Sequence, residues 1–219
     1  MRISLFLVFI LHLFCAKNNL VAAVKNSNFL FLTYDDGPST VTFEICDLLK
    51  KYNVKATFFV LGENVKKYHG ELKRIYQDGH LIGNHTYSHM NFYKIDKSSD
   101  IENIIIQEIE KTENEILNVI GIVPKVLRYP YGYSRKHGLD VAIKKGYKVF
   151  NWTFGYDWNK INDDELIKKY LEHIKPNAII LMHDTPKRNK RVLKITEEII
   201  KEAKKKKFKF ATLDEIISR

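Results

Sequence analysis

The chain has 219 residues, enough for one domain of ordinary size and little beyond it. Its content of 45% apolar and 28% charged residues is that of a globular protein and excludes a disordered or collagen-like chain. The formal charge is +10, and two cysteines are too few for a disulfide scaffold or a cysteine-rich zinc module.

Met1-Arg2 gives a positive start to an apolar run from Ile3 to Phe14 that only His12 interrupts. The run is short for a membrane span and suits the core of a signal peptide. Val21-Ala22-Ala23 supplies small residues for cleavage after Ala23. The expectation is therefore a signal over 1–23 and a mature domain over 24–219. That domain would be secreted or held at the cell wall or surface, without a stable membrane span; an uncleaved anchor is the alternative. Cleavage would remove Cys15, Arg2 and Lys17, leaving Cys46 as a lone thiol and a balance of +8. Stability must then come from the core that about 195 residues can bury.

The first β-type run, Phe29–Thr33, leads into Asp35-Asp36-Gly37-Pro38, and Ser39 or Thr40 can cap a helix reaching about Lys51. Next come the runs Ala56–Val60 and His80–Gly83, the second followed by His85-Thr86-Tyr87-Ser88-His89. Histidines four apart would share one face of a helical turn, so that both rings could meet one ion. Ser98-Ser99-Asp100 opens a long helix in which Ile101, Ile104, Ile105, Ile109, Thr112, Ile116 and Ile120 trace one face, until Gly121 and Pro124 stop it.

Val126–Arg128 continues into Tyr129-Pro130-Tyr131-Gly132. A helix from His137 to Lys145 ends at Gly146, and the run Tyr147–Trp152 precedes Asp157 and Trp158. A helix from Asp163 to His173 stops before Pro176, and Ala178–Met182 delivers Leu181, His183 and Asp184. Val192, Ile195, Ile199 and Ile200 fall at helical spacing, so the lysines up to Lys204–Lys207 read as the solvated face of an amphipathic helix. No aromatics are interleaved there and no binding motif accompanies them, so no nucleic-acid partner is expected. Phe208–Ala211 is the last β-type run.

Short apolar runs alternating with helices specify an α/β fold, a parallel sheet with helices outside. No glycine-rich phosphate loop follows the first strand, which weakens an open nucleotide-binding sheet. The polar residues gather past the C-terminal ends of several strands, where a (β/α) barrel places its chemistry.

Those residue types suggest a mechanism. Two neutral histidines and a carboxylate make a three-ligand site for a zinc-like ion with open positions. A second carboxylate, kept ionised by a nearby arginine and the metal, could take a proton from water. A histidinium held by its own carboxylate could protonate a departing amine. This is metal-assisted hydrolysis of an amide or ester, with no serine arrangement in evidence.

The motifs resemble those of the polysaccharide deacetylases of the NodB-homology type (carbohydrate esterase family four), over about Asn28 to Ile217. Thr33-Tyr34-Asp35-Asp36-Gly37 resembles the first motif, which implies Asp35 as catalytic base and Asp36 as a metal ligand. His85-Thr86-Tyr87-Ser88-His89 is similar to the second, implying His85 and His89 as the other ligands. Arg128-Tyr129-Pro130-Tyr131 resembles the third, in which Arg128 holds the base and the Tyr131 N–H faces the oxyanion. Asp157-Trp158 resembles the end of the fourth, making Asp157 the partner of the catalytic histidine and Trp158 a groove wall. Leu181-Met182-His183 resembles the fifth, with Leu181 against the acetyl methyl and His183 as general acid.

The likeness implies a distorted (β/α) barrel of about seven parallel strands in a single domain. It also implies a divalent metal, zinc by default with cobalt as an alternative, and a monomer acting on a polysaccharide containing N-acetylglucosamine (GlcNAc). Chitin or chito-oligosaccharides lead as substrate, releasing acetate. The alternatives are a peptidoglycan GlcNAc deacetylase and a wall-associated glycan-binding protein without useful activity. Two departures stand out: the fourth motif is one residue short with Gly155 near a position where the family commonly has Asp, and Tyr129 is expected to narrow the groove. The sequons at Asn84 and Asn151 overlap the proposed site and are expected to carry no glycan.

Overall fold

Phe29–Asp35 forms β1, buried from Leu30 onward, as a parallel strand packed on both faces must be. The computed structural model describes residues 28–217, so the signal expected over 1–23 and its cleavage point lie outside the described residues. No helix of the described residues is long and apolar enough to cross a membrane. The further strands are β2 (Thr57–Val60), β3 (Leu81–Asn84), β4 (Val126–Leu127), β5 (Lys148–Val149), β6 (Phe154–Gly155), β7 (Ala178–His183) and β8 (Lys209–Phe210).

The strands run β5-β4-β3-β2-β1-β7-β6, every pair parallel, and β8 joins the start of β1 off this path. The sheet curls into a half-barrel with β5 and β6 at its two edges. The expected strand Tyr147–Trp152 is shortened, and a separate strand follows it. Only Lys148–Val149 pairs with β4; the chain then crosses to the far edge, where Phe154–Gly155 pairs with β7. The cause lies in the crossing itself, where the carbonyls of Phe150 and Asn151 accept from the Arg128 side chain instead of a neighbouring strand.

Period-two alternation sorts the side chains. Leu30, Leu32 and Tyr34 of β1, Phe58 and Val60 of β2, Ile82 of β3, and Ile180 and Met182 of β7 belong to the main core. Helices α1 (Thr42–Lys51), α2 (Gly62–Val65), α3 (His69–Gln77), α4 (Ile101–Ile120), α6 (Asp163–Glu172) and α7 (Asn189–Lys205) cover that face, while α5 (Lys136–Lys144) packs in a second cluster and the short α8 (Asp214–Ile217) lies against the other face. Each large apolar side chain fully buried this way contributes about 1.5–3 kcal/mol. The alternate residues Phe31, Thr33 and Asp35 take the other face, where Phe31 packs with Phe59, Val126 and Leu213 and leaves Thr33 and Asp35 as polar groups inside the curl.

Helix α4 carries the expected apolar stripe and ends at Gly121 in a left-handed C-cap, φ 74°. Helix α7 buries Val192, Ile195, Ile199 and Ile200 and leaves Lys204–Lys207 exposed, as its spacing predicts. Helices α2 and α3 are absent from the pattern reading, because α3 has only Leu72 and Ile75 as buried anchors and no side-chain cap. The expected Ser39/Thr40 cap is also replaced. Val41 precedes α1 without a side-chain cap, while the Ser39 hydroxyl donates to Asp184.

Candidate active site

Because all the strands are parallel, their C-terminal ends share one rim, and the polar motif residues meet there. At the end of β1 the chain turns sharply at Asp36, φ 71°, followed by a cis Gly37–Pro38 bond. Gly37 lies so close to Asp184 that an added Cβ would collide with its Oδ2. Asp184, fully buried, accepts from the hydroxyls of Ser39 and Thr42 and props this turn. Burial pushes its carboxyl up to about 6.

The His85–His89 segment is not the helical turn its spacing predicts. Thr86 and His89 are left-handed, φ 69° and 58°, and the segment is a loop held from two sides. Asn84 Oδ1 accepts from the Thr86 N–H, and one carboxylate oxygen of Glu108 on α4 accepts from the N–H groups of Tyr87 and Ser88 and from the Ser88 hydroxyl. The rings still meet, 5.3 Å apart. The Asn84 amide donates to Ile109 O and Tyr147 OH inside the fold, whereas Asn151 is exposed.

Nε2 of His85 and of His89 lie 3.6 and 3.3 Å from Asp36 Oδ1. That oxygen is buried and has no hydrogen-bond partner, an arrangement that is costly without a cation. His85 Nδ1 stands 2.6 Å from the Arg128 carbonyl, so this nitrogen carries the proton and Nε2 presents its lone pair. Burial drives His85 down to about 3, leaving the imidazole neutral. An oxygen and two nitrogens within 4.8 Å of one another suit a zinc-like divalent ion. Cys46, Asp78 and His80 also gather, but there Arg74 Nε donates to Asp78 at 2.6 Å, so that carboxylate already has a positive partner.

Arg128 is completely buried inside the curl. Its guanidinium donates to Asp35 Oδ1 and Thr33 Oγ1 at 2.8 Å each and to the carbonyls of Phe150 and Asn151 at 3.0 Å. It also stacks 4.2 Å from the Phe59 ring centroid. Burial raises the Asp35 carboxyl above its ordinary value, opposed by the Arg128 charge.

Tyr131 is left-handed, φ 58°, and among the described residues its N–H has no acceptor. Its ring stands 4.9 Å from His89. Tyr129 does not narrow the groove. It is buried among Phe92 and Tyr133 with its hydroxyl on Gly138 O, because its neighbour Pro130 reverses the chain. Asp36, Thr86, His89 and Tyr131 thus all hold a backbone conformation costing about 1–3 kcal/mol for a non-glycine residue, a concentration typical of functional sites.

On the opposite wall, Asp157 is buried with Oδ1 2.7 Å from His183 Nδ1 and Oδ2 accepting from the His183 N–H. The shortened fourth motif therefore still delivers its carboxylate. Gly155 makes this fit, since a Cβ there would stand 2.8 Å from Leu181 Cβ. Tyr170 OH accepts from the N–H groups of Tyr156 and Asp157 and donates to Leu181 O, tying that loop to β7. Burial works against the protonated form of His183, but Asp157 outweighs it and the ring is raised above its ordinary value. Trp158 stands edge-on to His183 at 5.5 Å.

Together Asp35, Asp36, His85, His89, Tyr131, Trp152, Trp158, Leu181, His183 and Arg188 line a cleft of about 420 Å³. Every site residue expected from the sequence lies on this cleft or directly behind it. Glu108, Tyr170 and Arg188 stand outside the sequence motifs, and Asp184 figures there only as a residue past a strand end, with no role. Only Glu108 leaves a signal, as an acid on the inward face of α4 between Ile105 and Ile109. If His183 acts protonated, Asp157→Asn should lower its pKa and move the alkaline limb of the pH–rate profile to lower pH, with a loss of about 10²-fold or more at neutral pH. An unmoved limb would contradict this pairing.

Residues 23–150 match the family model described as polysaccharide deacetylase. A peptidoglycan-N-acetylglucosamine deacetylase of Bacillus cereus is 38% identical over 83% of this chain and 66% of its own length. A chitooligosaccharide deacetylase of Azorhizobium caulinodans is 33% identical over 73% of the chain and 75% of its length. The crystal structure of the peptidoglycan N-acetylglucosamine deacetylase Bc1960, in complex with 4-naphthalen-1-yl-N-oxidanyl-benzamide, superposes with a TM-score of 0.81 at 35% identity, covering 87% of this chain and 88% of that one. The chain spans 40–66% of the length of several curated relatives it matches.

Proposed function

Since this chain belongs to the polysaccharide deacetylase family, we propose that it hydrolyses N-acetyl groups from a GlcNAc-containing polymer outside the cytoplasm, with a divalent metal and release of acetate. The observation that carries this reading is the convergence of Asp36, His85 and His89 beside two ordered pairs, Asp35–Arg128 and His183–Asp157.

Asp36, His85 and His89 would hold the ion, which when bound polarises the acetyl carbonyl and makes water more acidic. Arg128 fixes Asp35 so that its carboxylate accepts the proton of the attacking water. The Tyr131 N–H is available to the oxygen on which negative charge develops. His183, with Nδ1–H on Asp157, donates from Nε2 to the departing amine nitrogen. Leu181 and Trp158 border the place of the acetyl group and exclude water from it.

Relatives named as peptidoglycan deacetylases support a wall glycan as the polymer, ahead of the chitin expected from the motifs. The chitooligosaccharide deacetylase keeps chito-oligosaccharides as the second reading. The 2.7 Å His183–Asp157 contact weighs against a binder that has lost turnover. Purified protein with zinc or cobalt should release acetate from peptidoglycan or chitopentaose. Chelation should lower the rate at least about 100-fold and added metal restore it. Tight glycan binding without acetate would sink the enzyme reading.

A further inference from the structure

Arg188 stands on the cleft wall, on the single 3₁₀ turn Pro186–Arg188 between β7 and α7. The other charged groups of that wall are accounted for: Asp35 has Arg128, His183 has Asp157, and Asp36 faces His85 and His89 as one of the three candidate metal ligands. Lys187 and Lys190 beside it are exposed to solvent, whereas two cations further along α7 are engaged. Arg191 donates to Asp163 and to the carbonyls of Asn159 and Ile161, and Lys194 donates to Asp164. Arg188 is half-buried, and among the described residues no carboxylate lies within ion-pair distance of it.

A guanidinium in that position is covered when a polymer fills the cleft, and covering an unpaired charge is unfavourable. A neutral chain of GlcNAc offers it no counter-charge, and the ammonium groups left after deacetylation would repel it. A carboxylate on a neighbouring sugar would meet it with two parallel N–H···O bonds, the geometry a guanidinium favours.

We propose that Arg188 is the carboxylate-reading residue of the cleft, and that the substrate is an acidic GlcNAc polymer whose reacting sugar adjoins a carboxylate-bearing unit. The alternating glycan of peptidoglycan has this character; chitin does not. The proposal rests on the deacetylase reading and names its substrate class. The carboxylate can belong to the lactyl ether of the muramic sugar or to its stem peptide.

The test compares wild type, Arg188→Gln and Arg188→Lys, all metal-loaded, on three glycans: peptide-free GlcNAc–MurNAc strands, the same strands with stem peptides, and chitopentaose. Acetate release and equilibrium binding are both read. The ratio of acidic to neutral kcat/KM should fall tenfold or more in Arg188→Gln and recover partly in Arg188→Lys. The wild-type preference for the acidic glycan should weaken with added salt. Whichever acidic glycan shows the larger fall identifies the source of the carboxylate. Equal losses on acidic and neutral glycans, or no acidic preference in wild type, would overturn the proposal. If no glycan yields acetate, the deacetylase reading fails, while an acidic binding preference lost in Arg188→Gln would still uphold the anion site.

Discussion

Asp35→Asn is expected to cut acetate release by about 10²–10⁴-fold while leaving a folded, metal-loaded protein. Asp35 closes β1 and points into the curl, with Oδ1 on Arg128 at 2.8 Å and Oδ2 3.7 Å from His85 Nε2. The three candidate ligands Asp36, His85 and His89 are untouched by the change. An amide of the same shape can still accept from Arg128 but cannot take a proton from water. Burial raises the carboxyl, which makes the ionised form a better proton acceptor than an ordinary aspartate. Acetate assays, metal content by mass spectrometry and a thermal melt, taken together, separate the outcomes. Metal lost along with activity would make Asp35 a ligand, and a fall of less than tenfold would remove it as the base.

Arg128→Met should cost about 3–5 kcal/mol of stability as well as most of the activity. The side chain is fully buried and reaches Asp35 and Thr33 on β1 and the two carbonyls of the crossing between β5 and β6. Methionine matches the length of the stem but leaves Asp35 without a counter-charge and the Phe150 and Asn151 carbonyls without their donor. Asp35 would then rise further, which favours its protonated form, so activity falls with stability. Arg128→Lys keeps one positive charge and loses the fork, and should fall between the two. Chemical denaturation at pH 7 measures the difference. A methionine variant within 1 kcal/mol of wild type would show that the crossing is held by something else.

These two residues mark how far local pattern reaches. The apolar runs at β1, β2, β3 and β7 and the stripe on α4 could be read directly, because a strand repeats every two residues and a helix every 3.6. Thr33, Asp35 and Arg128 are likewise recognisable as strand-end polar groups. That the Arg128 side chain joins β1 to the crossing between β5 and β6 depends on a curl that no local window contains. The same is true of Tyr129, which points into a second core, and of Glu108, which holds the histidine loop from a helix about twenty residues along the chain.

Histidine spacing shows the difference most clearly. His85 and His89 four apart suggested a helical turn, and the rings do approach each other, but by way of two left-handed residues and a carboxylate from α4. Residue order alone was sufficient for the α/β class, for most helices and strands, and for the chemical types collected at the strand ends, since these follow from short-range periodicity and from the shared direction of parallel strands. The pairing of Asp157 with His183 through a shortened segment, the orphaned oxygen of Asp36 and the open charge of Arg188 came from three-dimensional packing. Each depends on distances between residues far apart in the chain, and those distances exist only after the sheet has curled and its helices have closed over it.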